Sequence, residues 1–451
     1  MDTQSFIASA SSQNIKAALL DLKANFFNQG ELTDSFNPLL LNSIEALEYY
    51  DKGPNHHATN NSYLINYSDA STYLASSTLL HNFDGWSYLS NALDSLVKGD
   101  IGVCVHLAYY AELRATMAFL ASQGIGVFND RHLILKANNS FLVQGGLSGT
   151  HIFVWNAIKE WSISPSIDGL NLLKIFSAQG ISFDKWILNF HPRVTLGMSG
   201  NIVHEWLRDW NFDVQAFRND KGLRGEVSYR PQRLSGFSNL GLNEIVDRIE
   251  DFWRIVEPSG NYQFEILDKY LLASLLKRLY DSLVKDYNII DSFESLVEKN
   301  IENLGLSLNQ SLINILTGTV ENRILLESKK PSFDSNGDIN PFSILARATL
   351  MLRLSTGVNS ELFREANVKQ TDLNFWFDRF GISNGFWKPA NCPDNFSKLW
   401  LSVEENIVEL KDTIAEITGP IDLETLNERI SYPLTILKQY HRAGLWGLNL
   451  N

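Results

Sequence analysis

The sequence predicts a mainly α fold, a multi-helix bundle architecture with a small β-hairpin insert. Three observations predict it. Apolar residues recur at spacings of three and four along most of the chain, the period of helices with one buried face. Alternation of the strand type is confined to one short stretch, His132–Val143. No long-period internal repeat is present, which argues against a solenoid.

Taken in order, helices are expected over about 12–28, 37–51, 68–81, 84–98 and 101–123. A hairpin follows. Leu133–Leu135 and Phe141–Val143 flank Asn138-Asn139, and asparagine tolerates the left-handed backbone that a tight turn needs. Val127 and Phe128 are expected as a third short strand. Helices resume over about 149–162, 168–179, 183–190 and 199–211, the last with Ser199 as its N-cap. Phe217–Gly241 mixes Arg, Gly, Pro and Ser without a period and is expected to be irregular. Helices are then expected over about 242–256, 262–286, 289–303, 308–317, 341–356, 371–380, 395–417, 422–430 and 432–443. In the second of these, Leu267, Leu271, Leu275, Leu279 and Leu283 form one buried stripe. Lys52–Asn61 reads as a polar loop, and Ser328–Pro341 is the best linker candidate. A chain of 451 residues exceeds one ordinary core. The expected division is a helical N-terminal domain over 1–240, with the hairpin near 125–145, and a helical C-terminal domain over 241–451.

Bulk composition excludes several classes. A net charge of −13 argues against a general electrostatic grip on nucleic acid, although a local basic patch remains open. Two cysteines, Cys104 and Cys392, do not make a disulfide framework and suit a reducing compartment. The N-terminus lacks the basic and apolar blocks of a secretory signal, and no apolar run reaches the length of a membrane span. The expected location is the cytoplasm, with no membrane association.

Metal and nucleotide motifs are not announced. His204-Glu205 opens like a zinc-protease motif but lacks the second histidine. His56-His57 lies in a polar loop without a nearby cysteine. Asp334–Asp338 begins like a calcium loop, but Ile339 and Leu345 stand at the glycine and carboxylate positions. No metal or cofactor is therefore expected. Gly145, Gly146 and Gly149 precede a helix and serve either a turn or an anion.

Two constellations carry candidate chemistry. On the 101–123 helix, His106, Tyr110 and Arg114 follow an i, i+4, i+8 row and share one face, a candidate ligand-binding set. Further on, Arg224 and Tyr229, together with Arg218, Lys221, Arg230 and Arg233, make the one basic island of this acidic chain. Arg224 could hold a phosphate while Tyr229, with His151 or His204, handles protons. The bland alternatives are a hydrogen-bonded helix interface for the first set and a basic loop paired with acidic surface for the second. A third arrangement is a small-molecule pocket lined by Tyr109, Tyr110, Phe128 and Trp155.

The tyrosine-rich helix HLAYYAELRATMAFLASQG, followed by a short helix opening with His151 (GTHIFVWNAI), resembles the helix pair of HEPN domains. These helical domains occur in prokaryotic toxins and antiviral proteins. The resemblance spans about 100–235. It implies a site made by an Arg, four to six variable residues and a His, usually paired across two protomers, that cleaves RNA without a metal. Here the nearest spacing is Arg224 to Tyr229, with Gly225 in place of a polar residue, and no Arg has a His at that distance. The function expected is a cytoplasmic helical component of a prokaryotic defence or stress system, acting through a protein partner or a second copy. The alternatives are a metal-independent HEPN-like ribonuclease or nucleotide-acting enzyme using Arg224 and Tyr229, and a small-molecule-binding sensor.

Overall fold

The structure is a computed structural model that describes residues 2–20, 67–128, 131–163, 172–209, 214–229, 242–259, 263–333, 339–417, 419, 423–448 and 450. It is 71% helical, with seventeen helices among the described residues. Helix α1 (Thr3–Ile7) precedes α2 (Tyr67–Val97) and α3 (Ile101–Ser122). Strands β1 (Ile125–Gly126), β2 (Arg131–Lys136) and β3 (Ser140–Gly145) lead to α4 (Thr150–Ile163). Strands β4 (Ser177–Ala178) and β5 (Ile181–Ser182) precede α5 (Phe183–Phe190), α6 (Leu196–Asp209) and α7 (Val214–Tyr229). The remaining helices are α8 (Leu242–Ile255), α9 (Glu265–Tyr287), α10 (Phe293–Asn303), α11 (Gln310–Leu316), α12 (Arg323–Ser328) and α13 (Pro341–Glu365). Helices α14 (Asn374–Ser383), α15 (Leu399–Ala415), α16 (Leu423–Leu437) and α17 (Arg442–Leu448) complete the order.

The mainly α architecture agrees with the hydrophobic periods, and the hairpin forms where the Asn pair falls. Lys136 pairs with Ser140 across a three-residue loop, and Asn139 takes the left-handed conformation at φ 55°. The third strand lies two residues earlier than expected, with Ile125 and Gly126 facing Ile134 and Leu133.

Other expectations are corrected. The helices expected over 68–81 and 84–98 are one continuous helix, α2. Its internal Gly85 is a packing device: a Cβ there would lie 2.8 Å from Leu352 Cδ2 and 3.3 Å from the Ala111 carbonyl, so α3 and α13 approach its backbone directly. The stretch expected to be irregular from Phe217 is helical to Tyr229, because Phe217, Leu223 and Val227 supply a buried face. Helix α6 begins at Leu196, so Ser199 lies inside it. Residues 177–178 form a strand rather than the end of a helix. Helix α16 runs through Pro433 where a break was expected. The helix expected over 37–51, the loop with His56-His57, residues 230–241 and the Asp334–Asp338 run lie outside the described residues.

Helices α2 and α3 form an antiparallel pair, closed by Asp100, whose carboxylate accepts from the Val103 amide at 3.0 Å. Helix α13 packs on both, and 20 of its 25 residues are buried. Most of its polar residues are hydrogen-bonded internally. Ser355 and Thr356 donate to Asn82 at 2.8 and 3.0 Å, and Asn359 donates to the Thr78 carbonyl at 2.7 Å. Arg353 grips Asp268 of α9 at 2.7–2.8 Å and the Ile175 carbonyl at 2.7 Å. Side chains from both sides of residue 240 thus pack into one buried core. Both cysteines are free thiols, Cys104 fully buried. Among the described residues no helix is long and apolar enough to cross a membrane.

Candidate functional site

The polar cluster of greatest chemical interest is assembled from α3, α4 and α7. Its geometry begins at the turn between β3 and α4. His132 of β2 accepts from the Phe128 amide at Nδ1 (3.3 Å), so its proton sits on Nε2, which donates to the Ser148 carbonyl at 2.7 Å. The same ring stacks on Phe153 with centroids 3.5 Å apart. The Thr150 hydroxyl donates to the Phe128 carbonyl at 3.0 Å. These contacts fix the N-terminus of α4, and with it His151.

His151 is held between a phenol and a guanidinium. Its Nδ1 lies 2.9 Å from the Tyr109 hydroxyl and its Nε2 3.2 Å from Arg224. A guanidinium only donates, so Nε2 accepts and the ring proton belongs on Nδ1, donated to Tyr109. Burial, then the charges of Arg224 and Lys221, push the His151 pKa down to about 4. The ring is therefore neutral at pH 7. Burial likewise pushes the Tyr109 phenol up, so it keeps its proton.

Arg224 lies over the faces of Tyr109 and Tyr110, 5.6 and 5.5 Å from their centroids. Its Nε is buried and makes no hydrogen bond. His106 donates to Ser228 at 2.8 Å, because the Ser228 hydroxyl spends its own proton on the Arg224 carbonyl at 2.7 Å. Burial and Arg224 lower the His106 pKa too.

Beside this cluster opens a cleft of about 510 Å³. Tyr110, Arg114 and Met117 of α3 line one side, Tyr73 and His81 of α2 another, with Phe128, the head of α4 and Lys221 of α7 completing it. Arg114 is held to α2, 2.9 Å from His81 Nδ1 and 3.7 Å from Asp84. By contrast, no carboxylate among the described residues pairs with Arg224 or Lys221.

A buried triad behind the cleft positions those two cations. Arg347 of α13 grips Asp220 of α7 at 2.6 and 3.1 Å and reaches Glu112 of α3 at 3.5 Å. It also binds the carbonyls of Ser328 and Lys330 at 3.3 and 3.0 Å, and Ser332 donates to Asp220. Burial and the neighbouring Asp220 charge raise the Glu112 pKa well above the usual carboxylate range, which favours its neutral form. Asp220 and Arg224 are one turn apart on α7, so the bond to Arg347 sets where Arg224 lies.

The chain matches no protein-family model, no curated protein and no solved structure. What the cleft can do is therefore read from its side chains. Of the residues singled out in the sequence, His106, Tyr110, His151 and Arg224 come together, and Arg114 lines the adjoining cleft. Tyr229 ends α7 and is 80% exposed, and the phenol bonded to His151 is that of Tyr109. His204 falls on α6, its side chain outside the described set, and Arg230 and Arg233 lie outside the described residues. Tyr73, His81, Asp220 and Arg347 escaped the sequence reading, and Glu112 was noted on its helix without a role. The Asp220-Lys221…Arg224 spacing was the available signal, legible once that segment is placed on a helix.

Proposed function

We propose that the protein binds a phosphate-bearing small molecule in the cleft between α2, α3, the head of α4 and α7. The observation that carries this is a pair of cations, Lys221 lining the cleft and Arg224 beside it against His151 and Tyr110, neither with a carboxylate partner among the described residues, in a chain of net charge −13. Uncompensated charge at a partly buried site is unfavourable, and an anion relieves it. The positive end of the α4 dipole adds to the same field, and Arg224 offers the planar fork that suits phosphate oxygens. Calorimetry with inorganic pyrophosphate and with nucleoside phosphates tests it. Binding should weaken about tenfold or more in Arg224→Ala or Lys221→Ala, the scale of a lost charge-assisted hydrogen bond. Absence of binding, or equal binding by the double variant, would reject the proposal.

A second reading, metal-independent RNA cleavage, is favoured by one observation. Arg224 and His151 sit 3.2 Å apart although they are 73 positions apart in sequence. If Arg224 moved onto a phosphate, the neutral His151 would have a free Nε2 to take the proton of a 2′-hydroxyl. RNA degradation in EDTA that is lost in both His151→Ala and Arg224→Ala supports this. Equal activity in wild type and variants counts against it. Association with a partner chain in a defence or stress system would fit either reading, with ligand occupancy as the signal that the partner senses.

A further inference from the structure

We infer that the ligand is a nucleotide, its base lodged at the Tyr73–Phe128 end of the cleft and its phosphate at the Lys221 end, next to Arg224. This rests on the phosphate-binding reading above and extends it to the other half of the cleft. That half has a different chemistry. Tyr73 and Phe128 stack with centroids 5.5 Å apart, and Val127 and Met117 border them. Phe128 and Met117 are buried, so the half-buried Tyr73, backed by Phe128, offers the accessible ring face; it suits a flat heteroaromatic ring, and a bare phosphate or sugar phosphate leaves it unused.

The dimensions agree. Met117 and Tyr110 are seven residues apart on α3, about 10 Å along the axis. That separates a ring site from a phosphate site by roughly the length of a ribose with its linkages. The cleft volume of about 510 Å³ falls in the ordinary range for a small-molecule site. Between the two ends stand Arg114 and His81, joined at 2.9 Å, which offer polar edges to a sugar or to a second phosphate.

The test compares adenosine 5′-monophosphate, ribose 5-phosphate and adenosine by calorimetry on the full chain. The nucleotide should bind about tenfold or more tightly than ribose 5-phosphate, the scale of one stacked base. Tyr73→Leu should remove that advantage and leave ribose 5-phosphate binding unchanged, while Lys221→Ala should weaken both phosphates. Equal affinity for nucleotide and ribose 5-phosphate would overturn the ring site and leave the phosphate site standing. Adenosine binding as tightly as the nucleotide, indifferent to Lys221→Ala, would overturn the phosphate site itself. Should Tyr73→Leu fail to fold, the wild-type chain gives an independent readout. It has 4 methionines, and the Met117 methyl signal should shift in the ring current of an added nucleotide and stay fixed with ribose 5-phosphate. A methyl signal that ignores the nucleotide at saturation would overturn the inference.

Discussion

His151 shows how one ring can be kept neutral by its neighbours and still be available for chemistry. Its proton is committed to Tyr109, and its lone pair is occupied by Arg224. Ring-nitrogen NMR should place its titration at about pH 4, against an ordinary value of 6.5. Arg224→Ala should raise that value, with burial, the larger cause, still holding it below the ordinary one. Saturating pyrophosphate should raise it too, by drawing the guanidinium away and adding negative charge. A wild-type titration at the ordinary value would show that the ring is not held in this way. Behind it, the Glu112–Asp220–Arg347 triad separates two roles that look alike on paper. Arg347→Ala leaves Asp220 buried and unpaired and should cost about 3–5 kcal/mol in denaturant unfolding. Glu112→Gln keeps the shape of a carboxyl whose neutral form burial favours, and should change stability by less than about 1 kcal/mol in the same assay.

At the scale of single elements, α7 carries the site's cations and was the hardest helix to foresee. Gly222 and Gly225 lower its intrinsic propensity, and its mixed polar sequence conceals the buried Phe217, Leu223 and Val227. The helix is held by packing, with Phe217 stacked on Trp155 at 4.2 Å, and by the Asp220–Arg347 bond. A Cβ at either glycine would meet nothing within 4 Å. Gly222→Ala and Gly225→Ala should therefore each stabilise the protein by about 0.4–1 kcal/mol in thermal or urea unfolding. Elements specified by local chemistry were legible: the hairpin from its Asn pair, α3 from its period, and α5 at Phe183–Phe190 to the residue. The His106–Tyr110–Arg114 row was legible for the same reason. His151 and Arg224 were named as candidates too, but their contact with this row, like that of His81 on α2, was not legible, because it is made only through tertiary packing. Tyr229 drew attention by its spacing from Arg224, but five residues along a helix turn a side chain about 140° away from its neighbour.

For the whole molecule, α13 is the organising member. Its sequence, PFSILARATLMLRLSTGV, carries polar residues that are buried and bonded to α2, α7 and α9. A periodicity argument cannot distinguish a polar face toward water from one toward buried partners, so the helix was legible and its buried polar contacts were not. Burial has a second molecule-wide effect. His151 and His441 are depressed to about 4 and about 3, so below about pH 6.5 the unfolded chain binds protons that the folded chain refuses. Their stabilising contribution is complete above pH 6.5 and is lost as pH falls through the folded values. His441 also pairs with Ser90 at 2.9 Å, bridging α2 to the segment before α17. Melting temperatures from pH 7 to 4 should fall less steeply in His441→Gln than in wild type. Parallel slopes would show that this histidine does not titrate differently on unfolding.

The burial of α13 against α2 also orders events in time. The hydrogen bonds from Trp86 to Thr356 and from Asn359 to Thr78 join residues 270 and 281 positions apart. During synthesis the faces of α2 and α3 that will meet α13 must therefore wait, exposed and sticky, for several hundred residues to be added. Closing contacts over such separations is slow, so refolding from urea should be slow and concentration-sensitive, with aggregation competing until α13 docks. Stopped-flow and light-scattering measurements over a range of protein concentrations would register this. The helix that completes the core is thus also the gate through which the newborn chain becomes safe from its neighbours.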